Sequence, residues 1–394
     1  MRAQHQPNGF FLRMAGAALL VSTFGQACAR GPRISPEELT ASHGWPDLEG
    51  KPELAWSVKL PSPPTALLPV GGSAALVTTY RGELYRFNLK AGARDSPIRQ
   101  PVRKAISAQL VEAENGRFYV GSAQEGDLRA YHLGSGRLLW KRDQAGVTGP
   151  LAMLDGLLLA AGLGGRVTAH DPEEGGTVWH HQLPGRIYQG VWRVGNLALV
   201  LTDNGKLYAF EERAKAGSNG SDPADHPPLW ERELGVGPNA VAASGGGWLV
   251  VGDGDGLLLG IDPAQEEPQF RIRLDSPIYS RPLVTKDMVV VATAAGEVVA
   301  IQVEDGLPLW RVRGEGLVKA PLLATENGGN GPPQAVLVPF ARGQLLALEL
   351  ATGRELWRYD LERPIVLANL TPGGVAVVDH RNELSFLRLV SPAE

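Results

Sequence analysis

The chain has 394 residues, of which 43% are hydrophobic and 20% are charged, and its formal net charge is −4 at pH 7. This composition is that of an ordinary folded protein with enough apolar residues for a core. The slight acidity gives no electrostatic basis for nucleic acid as a partner. The single cysteine, Cys28, excludes an intrachain disulfide and any metal site built from several cysteines.

The N-terminal segment differs from the rest of the chain. Arg2 and Arg13 precede a short apolar run, residues 14–21, which is too short to cross a bilayer as a helix. A basic segment followed by a short apolar core is typical of a secretory signal. We therefore predict a signal peptide over residues 1–27.

The end of this segment, Gly-Gln-Ala-Cys at residues 25–28, resembles the lipobox of bacterial lipoproteins, although Gly25 stands where leucine is usual. The resemblance implies that Cys28 is acylated, and Ala29 after it favours the periplasmic side of the outer membrane over the inner membrane. The alternative is secretion as a soluble protein after cleavage at the small residues 27–29. Lipidation is favoured because the only thiol of the chain lies at this position.

Residues 28–52 are rich in proline, glycine and charge and show no sustained periodicity, which predicts a flexible, lipid-anchored tether. We assign residues 53–390 to one folded domain and residues 391–394 to a C-terminal tail.

Within that domain, one short sequence repeat, which we call the phrase, occurs eight times. Residues 126–140 (GDLRAYHLGSGRLLW), 296–310 (GEVVAIQVEDGLPLW) and 343–357 (GQLLALELATGRELW) are clear copies. Counted from the first glycine, the phrase has leucine or valine two places on, often alanine at four, and an aromatic residue at fourteen. Its eight copies begin at Gly82, Gly126, Gly165, Gly205, Gly256, Gly296, Gly343 and Asn382.

Each copy predicts short strands joined by tight turns. Alternate residues of the strand after the glycine face opposite sides, and both sides are largely apolar, so the strand is covered on both faces. Glycine or asparagine at the start suits a hairpin turn with positive φ. Because another apolar strand precedes each glycine and the period is about 40 residues, the pattern is typical of a propeller of four-stranded antiparallel blades.

The two ends of the repeat region complement each other. The outer strand of the eighth copy would fall beyond Glu394, whereas residues 53–60 (ELAWSVKL) form an outer-strand phrase, with Trp56, that has no hairpin before it. We therefore predict an all-β, eight-bladed β-propeller whose ring is closed by the N-terminal strand, which completes the last blade and protects its edge. Two copies depart from the pattern: the first has Ser96 in place of the aromatic residue, and the fourth carries a polar insertion at 211–228.

The consensus, Gly-x-Leu-x-Ala-φ-x-x-x-x-Gly-x-x-x-Trp with φ apolar, resembles the PQQ-like repeat over nearly all of residues 53–390. With eight blades and a lipoprotein-like leader, the chain is similar to the BamB family of lipoproteins, which assist the insertion of β-barrel proteins into the bacterial outer membrane. The resemblance implies a non-catalytic scaffold of the cell envelope that binds other envelope proteins, above all the outer-membrane barrel-assembly subunit. The alternative is a ligand-binding or sensory propeller of another envelope complex, with the central channel as its site.

In the BamB family, the loop after the tryptophan of the third copy carries a Leu-x-Leu-Arg-Gly segment that docks the barrel-inserting subunit. The corresponding loop here, residues 183–190 (LPGRIYQG), lacks that motif but has one arginine and two bulky apolar residues. The resemblance therefore implies partner docking for Arg186, Ile187 and Tyr188. From the residues alone, Tyr188 and Trp192 suit either a partner anchor or core packing, and we expect core packing, above all for Trp192.

No residue set for catalysis, a metal or a cofactor is found in the sequence. Quinoprotein dehydrogenases share the repeat and resemble one another in an adjacent cysteine pair beneath the quinone, which this chain lacks, so we predict neither an enzyme nor a quinone cofactor. Asp253–Gly256 (DGDG) is similar to part of a Ca²⁺ loop but lacks the later glutamate and coincides with a hairpin turn. His180 and His181 are neighbours in a strand and point to opposite faces, so they are not expected to chelate one ion.

Overall fold

The computed structural model describes residues 50–70, 74–94, 111–113, 116–122, 126–143, 146–147, 149–211, 224–324, 334–371 and 373–390. The elements in these residues are all strands, arranged in eight sheets that form the blades of a propeller. The predicted signal peptide, Cys28 and the tail at 391–394 lie outside the described residues. A helix able to cross a membrane does not occur in the described part of the chain.

Each blade consists of four antiparallel strands, and the first strands of neighbouring blades contact one another, which places them at the centre of the ring. Blades one to three contain β2 Pro64–Val70, β3 Ala74–Thr79, β4 Leu84–Asn88 and β5 Ala93–Arg94; β6 Val111–Ala113, β7 Arg117–Gly121, β8 Asp127–His132 and β9 Leu138–Asp143; β10 Ala152–Leu154, β11 Leu157–Ala161, β12 Arg166–His170 and β13 Thr177–Gln182. Blades four to six contain β14 Trp192–Val194, β15 Leu197–Leu201, β16 Lys206–Glu211 and β18 Trp230–Glu233; β19 Val241–Gly245, β20 Trp248–Gly252, β21 Leu257–Ile261 and β22 Phe270–Arg273; β23 Leu283–Val284, β24 Met288–Ala292, β25 Glu297–Gln302 and β26 Pro308–Arg313. Blades seven and eight contain β27 Leu323–Ala324, β28 Ala335–Pro339, β29 Gln344–Glu349 and β30 Glu355–Asp360; β31 Ile365–Thr371, β32 Gly374–Asp379, β33 Glu383–Val390 and β1 Lys51–Lys59.

The N-terminal strand closes the ring, as predicted. β1 pairs antiparallel with β33 from Lys51 opposite Val390 to Lys59 opposite Glu383, so it starts two residues before the predicted domain boundary at 53. On this strand the Trp56 ring stacks on Phe386 with 5.7 Å between ring centroids. The last blade is therefore assembled from both ends of the repeat region.

The first residue of the phrase forms a hairpin turn with positive φ in every blade, which confirms the turn prediction. The φ angle is positive at Gly82, Gly126, Gly165, Gly205, Gly256, Gly296, Gly343 and Asn382. The strand that follows is covered on both faces, as Val298, Val299 and Ala300 show by their complete burial. Most of the core lies between neighbouring blades, where one hydrophobic cluster joins residues of both.

The second glycine and the tryptophan of the phrase form one contact between neighbouring blades. Trp310 of blade six donates from Nε1 to the carbonyl of Leu350 in blade seven at 2.8 Å, and a Cβ on Gly353 of that turn would lie 2.6 Å from the Trp310 ring. Trp140 on Gly175 and Trp56 on Gly92 repeat this arrangement, which we call the tryptophan latch. The phrase therefore encodes the interface as well as the blade.

Two blades depart from this scheme, as the sequence indicated. The outer strand of blade one, β5, has only two residues, and Ser96 itself lies outside the described part. Within the insertion of blade four, β17 (Ala224–Asp225) leaves its own blade and pairs parallel with β13 as a fifth strand of blade three. Residues 212–223 of the insertion are not described.

Candidate functional site

The loop between blades three and four, residues 183–191, is fixed by hydrogen bonds at several points. The amide of Leu183 donates to Gly165 O at 2.9 Å, and the amide of Asp203, in the hairpin turn of blade four, donates to Arg186 O at 2.8 Å. In return, Arg186 N donates to the Asp203 carboxylate at 2.8 Å. The backbone around Arg186 is therefore held by the neighbouring blade.

Ile187 lies inside the molecule. Its side chain is fully buried in the cluster that also contains Leu183 and Phe210. A buried side chain offers no surface to a partner, so the structure places Ile187 in the framework of the loop.

Arg186 and Tyr188 lie on the outside of the same loop. The Tyr188 side chain is 41% exposed, so core packing, expected from the sequence, is wrong for this residue. The guanidinium Nη1 of Arg186 donates to the Tyr188 hydroxyl at 3.3 Å. This hydrogen bond and the nearby Asp203 carboxylate raise the pKa of Arg186 above its usual range. The two side chains thus form a preformed, cationic and aromatic pair.

Comparison of equivalent loops explains the difference between Ile187 and its neighbours. Ile278 and Val318 occupy the same place in the loops after blades five and six, and both are fully buried. In all three loops, the residue before this position accepts a hydrogen bond from the next hairpin turn at 2.7–2.8 Å. Ile187 is therefore a repeat position, which alignment of the eight copies could have shown.

The ring face that carries these loops and hairpin turns also carries the exposed tyrosines. In the described part of the chain these tyrosines are Tyr80, Tyr188 and Tyr279, which are 41–56% exposed. Tyr279 follows Ile278 as Tyr188 follows Ile187. The Ile-Tyr pair at 187–188 recurs at 278–279, so the exposure of Tyr279 could have been predicted from the repeat, whereas Tyr80 follows a threonine and has no such signal.

The remaining candidates from the sequence have structural surroundings. Trp192 is 5% exposed and belongs to the core, as expected. Asp253 accepts hydrogen bonds from the amides of Asp255 and Leu257, both at 2.9 Å, so this segment is a hairpin turn. Among the residues that the structure describes, no three of His, Cys, Asp and Glu lie together as metal ligands do.

The two neighbouring histidines of β13 differ in their contacts. His181 Nδ1 lies 2.8 Å from the Asp225 carboxylate of β17. The buried Nδ1 of His180 has no hydrogen-bond partner among the described residues. The two rings therefore have different surroundings.

Similar sequences point to one family. The sequence model of the family described as "Outer membrane protein assembly factor BamB" matches residues 49–219 and 219–382. A protein of that name from Nitrosomonas eutropha is 26% identical over 193 residues, 49% of this chain and 44% of that protein. Another, from Burkholderia pseudomallei, is 30% identical over 178 residues, 43% of each. The matched stretch thus spans less than half the length of these curated relatives.

Solved structures share the fold. The crystal structure of BamB from Moraxella catarrhalis matches with a TM-score of 0.66 at 14% identity and covers 86% of this chain and 100% of that one. The computationally designed protein Ika8 matches with a TM-score of 0.68 at 13% identity, over 84% of this chain and 98% of that one. At such identities the likeness concerns the fold alone, and a designed protein shares it equally.

Proposed function

The chain belongs to the family of the outer membrane protein assembly factor BamB, and on that premise we propose that it is a non-catalytic scaffold in the assembly of outer-membrane β-barrel proteins. Its partner in this role is the barrel-assembly subunit of the envelope. It acts on the periplasmic side of the outer membrane, anchored through a lipid on Cys28.

The single observation that carries the docking part of this proposal is the preformed pair of Arg186 and Tyr188. Arginine and tyrosine are enriched among the residues that dominate binding energy at protein interfaces. Here their loop is fixed by Asp203 and Ile187, so little conformational freedom is lost when a partner binds. The pair therefore suits a small, pre-organised docking site.

A test of the docking site replaces Arg186 and Tyr188 by alanine and leaves Ile187 in place. Capture of the purified barrel-assembly subunit by the full-length protein should weaken about tenfold or more, the effect of losing about 1.4 kcal/mol at a hot spot. The melting temperature should change little, because both side chains are on the surface.

The matched control is Tyr279→Ala, which removes the equivalent exposed tyrosine of the loop after blade five. It should leave capture of the subunit unchanged. If the double variant binds as well as the wild type, or if Tyr279→Ala weakens capture as much, the docking site is not at Arg186 and Tyr188.

The anchoring part of the proposal concerns Cys28. Cys28→Ala should move the protein from the membrane fraction to the soluble exported fraction, because the acyl chains are attached to this thiol. Mass spectrometry of the mature N-terminus checks the modification directly. An unmodified N-terminus beyond Cys28 would refute the lipid anchor.

The scaffold role is supported by the cysteine content. The quinoprotein dehydrogenases that share the repeat have an adjacent cysteine pair, and this chain has one cysteine in total. Calorimetric titration with pyrroloquinoline quinone and Ca²⁺ should therefore show no saturable binding. One-to-one binding at micromolar affinity would favour an enzyme instead.

A further inference from the structure

The outer edge of blade three already carries an added strand. β17 comes from the insertion of blade four, crosses to blade three and pairs with β13 at Trp179 opposite Ala224 and His180 opposite Asp225. This pair is parallel, whereas the other strand pairs of the described residues are antiparallel. The other outer strands in the described part have no fifth strand on them. The edge of β13 therefore accepts a polypeptide that is not part of its own blade.

Three contacts show the chemistry that this edge accepts. The amide of His226 donates to His180 O at 2.9 Å. The Asp225 carboxylate lies 2.8 Å from His181 Nδ1. The His226 ring packs on Trp179 with 4.7 Å between ring centroids and at 6.4 Å from Phe210. An extended segment with a carboxylate followed by a ring therefore fits the edge.

The chain's own segment occupies this edge only in part. Pro223 precedes the two paired residues and Pro227 follows His226, and proline has no amide to donate to a strand ladder. Pairing is thus limited to two of the six residues of β13. The Asp225 side chain is 68% exposed, so its contact with His181 is surrounded by water and weak.

The unpaired part of the edge can extend the ladder. Because His180 O accepts the amide of His226 on the outer side, both main-chain groups of every second residue from His180 face this edge. Gln182, two residues on, therefore faces the edge beyond the two residues that pair with β17. An edge with free amides and carbonyls is a template for another strand. A proline-free segment would form more hydrogen bonds along Thr177–Gln182 than β17 does.

From this geometry we propose that the edge of β13 is a strand-binding site, occupied by β17 in the free protein and by an extended segment of an unfolded β-barrel client when one is present. The client strand adds parallel to β13, with a carboxylate against His181 and an aromatic ring on Trp179 and Phe210. Main-chain hydrogen bonds give affinity, and the carboxylate and ring give selectivity.

The choice of client rests on the proposed function. Outer-membrane barrels are built from strands of about ten residues that alternate in hydrophobicity and carry aromatic residues at both membrane interfaces. Until such a strand pairs with its neighbours, its main-chain groups are free to pair with another edge. The strand-binding site is separate from the pair of Arg186 and Tyr188. β17 pairs with Trp179 and His180, whereas Arg186 and Tyr188 lie in the loop that follows β13. Each can therefore be lost without the other.

The first experiment measures binding of a fluorescent synthetic peptide that copies residues 221–230 with Pro223, Pro227 and Pro228 each replaced by threonine. It compares the full-length wild type with the variant Asp225→Ala/His226→Ala, in which β17 is released. Because an occupied site lowers apparent affinity by the fraction that is free, the variant should bind about tenfold more tightly.

Three controls make this result specific. The same peptide with alanine at the positions of Asp225 and His226 should lose binding to the variant, because the carboxylate and the ring are removed. Glu304→Ala, which removes an exposed carboxylate in a turn of blade six, should bind the peptide as the wild type does. His180→Pro in the released variant removes the outward amide of His180 and should lower peptide binding. If this variant does not fold, His181→Ala replaces it in the experiment and should also lower peptide binding.

The second experiment adds a urea-unfolded outer-membrane β-barrel protein as competitor and the same protein, folded in detergent, as its control. Competition by the unfolded form alone supports the proposal. No gain of peptide binding on release of β17 would overturn the strand site, and peptide binding without competition would overturn the client. The released variant should still capture the barrel-assembly subunit, so loss of that capture alone would count against the proposed function instead.

Discussion

Equivalent tryptophans lie at two junctions, one between blades six and seven and one between blades three and four. They pack against different partners. At the first, Trp310 packs on Gly353 and donates to Leu350 O. At the second, Trp179 contacts the insertion of blade four, and the His226 ring packs on it with ring centroids 4.7 Å apart. The first junction is closed by the repeat alone, and the second by a segment unique to one blade.

This difference shows how a repeat fold acquires a site. The tryptophan latch uses residues of the repeat itself. Where Trp179 meets the insertion instead, a carboxylate and a ring that are not part of the repeat lie beside the edge of β13. The loop that carries Arg186 and Tyr188 follows β13 directly, so both proposed sites lie next to blade three. Both proposed sites therefore lie beside the place where the repeat is broken.

The largest effect is expected from removing β1, residues 51–59, because this strand supplies the latch between the last and the first blade. The deletion exposes Phe386 and the whole edge of β33 and takes Trp56 from Gly92. We expect aggregation or loss of cooperative unfolding, measured by light scattering and calorimetry. Deletion of residues 29–48 is the control, and equal melting of both deletions would contradict closure by β1.

A large effect on the free energy of unfolding is also expected in the loop of residues 183–191, at Ile187 but not at Tyr188. Ile187→Ala empties a fully buried position and should lower the free energy of unfolding by about 2–5 kcal/mol. Tyr188→Ala, at an exposed position, should change it by less than about 0.5 kcal/mol. Chemical denaturation of the two variants checks the difference. Similar values would mean that the loop is packed otherwise than described here.

Much of the fold could be predicted from the sequence, because each recurring residue type meets a local requirement of the backbone or of burial that is the same in every blade. Glycine at the start of the phrase needs positive φ, and the strand after it is apolar on both faces, so both features recur in the letters. The pairing of β17 with β13 could not be predicted, because two residues have no periodicity and Asp225 meets His181 from 44 residues away. The burial of Ile187 could have been predicted, because Ile278 and Val318 occupy the same place in the loops after blades five and six and are also apolar.

Substitution of the latch glycine tests the regular junction. Gly353→Ala places a Cβ 2.6 Å from the Trp310 ring at φ +72°, whereas Gly156→Ala, at φ +81°, meets nothing within 4 Å. Both variants carry the strain of positive φ, about 1–2 kcal/mol, and only Gly353→Ala adds overpacking of about 1–3 kcal/mol. Thermal unfolding of the two should differ by that addition. Equal loss of stability would show that the latch is not tightly packed.

Blade three also differs from its neighbours at His170, which stands where blade four has Phe210. Burial lowers the pKa of His170 to about 4. The charges of nearby Arg142 and Arg166 act in the same direction, and a hydrogen bond from the His170 ring to Gly175 O acts against it. Because the unfolded chain takes up the proton first, near pH 6.5, this histidine favours folding fully above that pH, and the contribution is lost as pH falls towards 4.

We therefore expect the free energy of unfolding to fall by about 2 kcal/mol from this residue between pH 7 and pH 5. His170→Phe, which copies Phe210, should remove that part of the pH dependence. Urea denaturation of wild type and variant at both pH values measures it. The same slope in both proteins would show that His170 is protonated in the folded state.

The smallest effects are expected from shortening the insertion, and they separate its two parts. Removal of residues 214–221 keeps Asp225 and His226, and loop length affects stability only weakly, so the melting temperature should hardly change. Removal of residues 214–226 also takes the His226 ring from Trp179 and Asp225 from His181, which should cost about 1 kcal/mol. Both variants should capture the barrel-assembly subunit as the wild type does, because Arg186 and Tyr188 are retained. If the two variants have the same melting temperature, the His226 ring does not stabilise the junction between blades three and four. The insertion then only lengthens the turn at this junction.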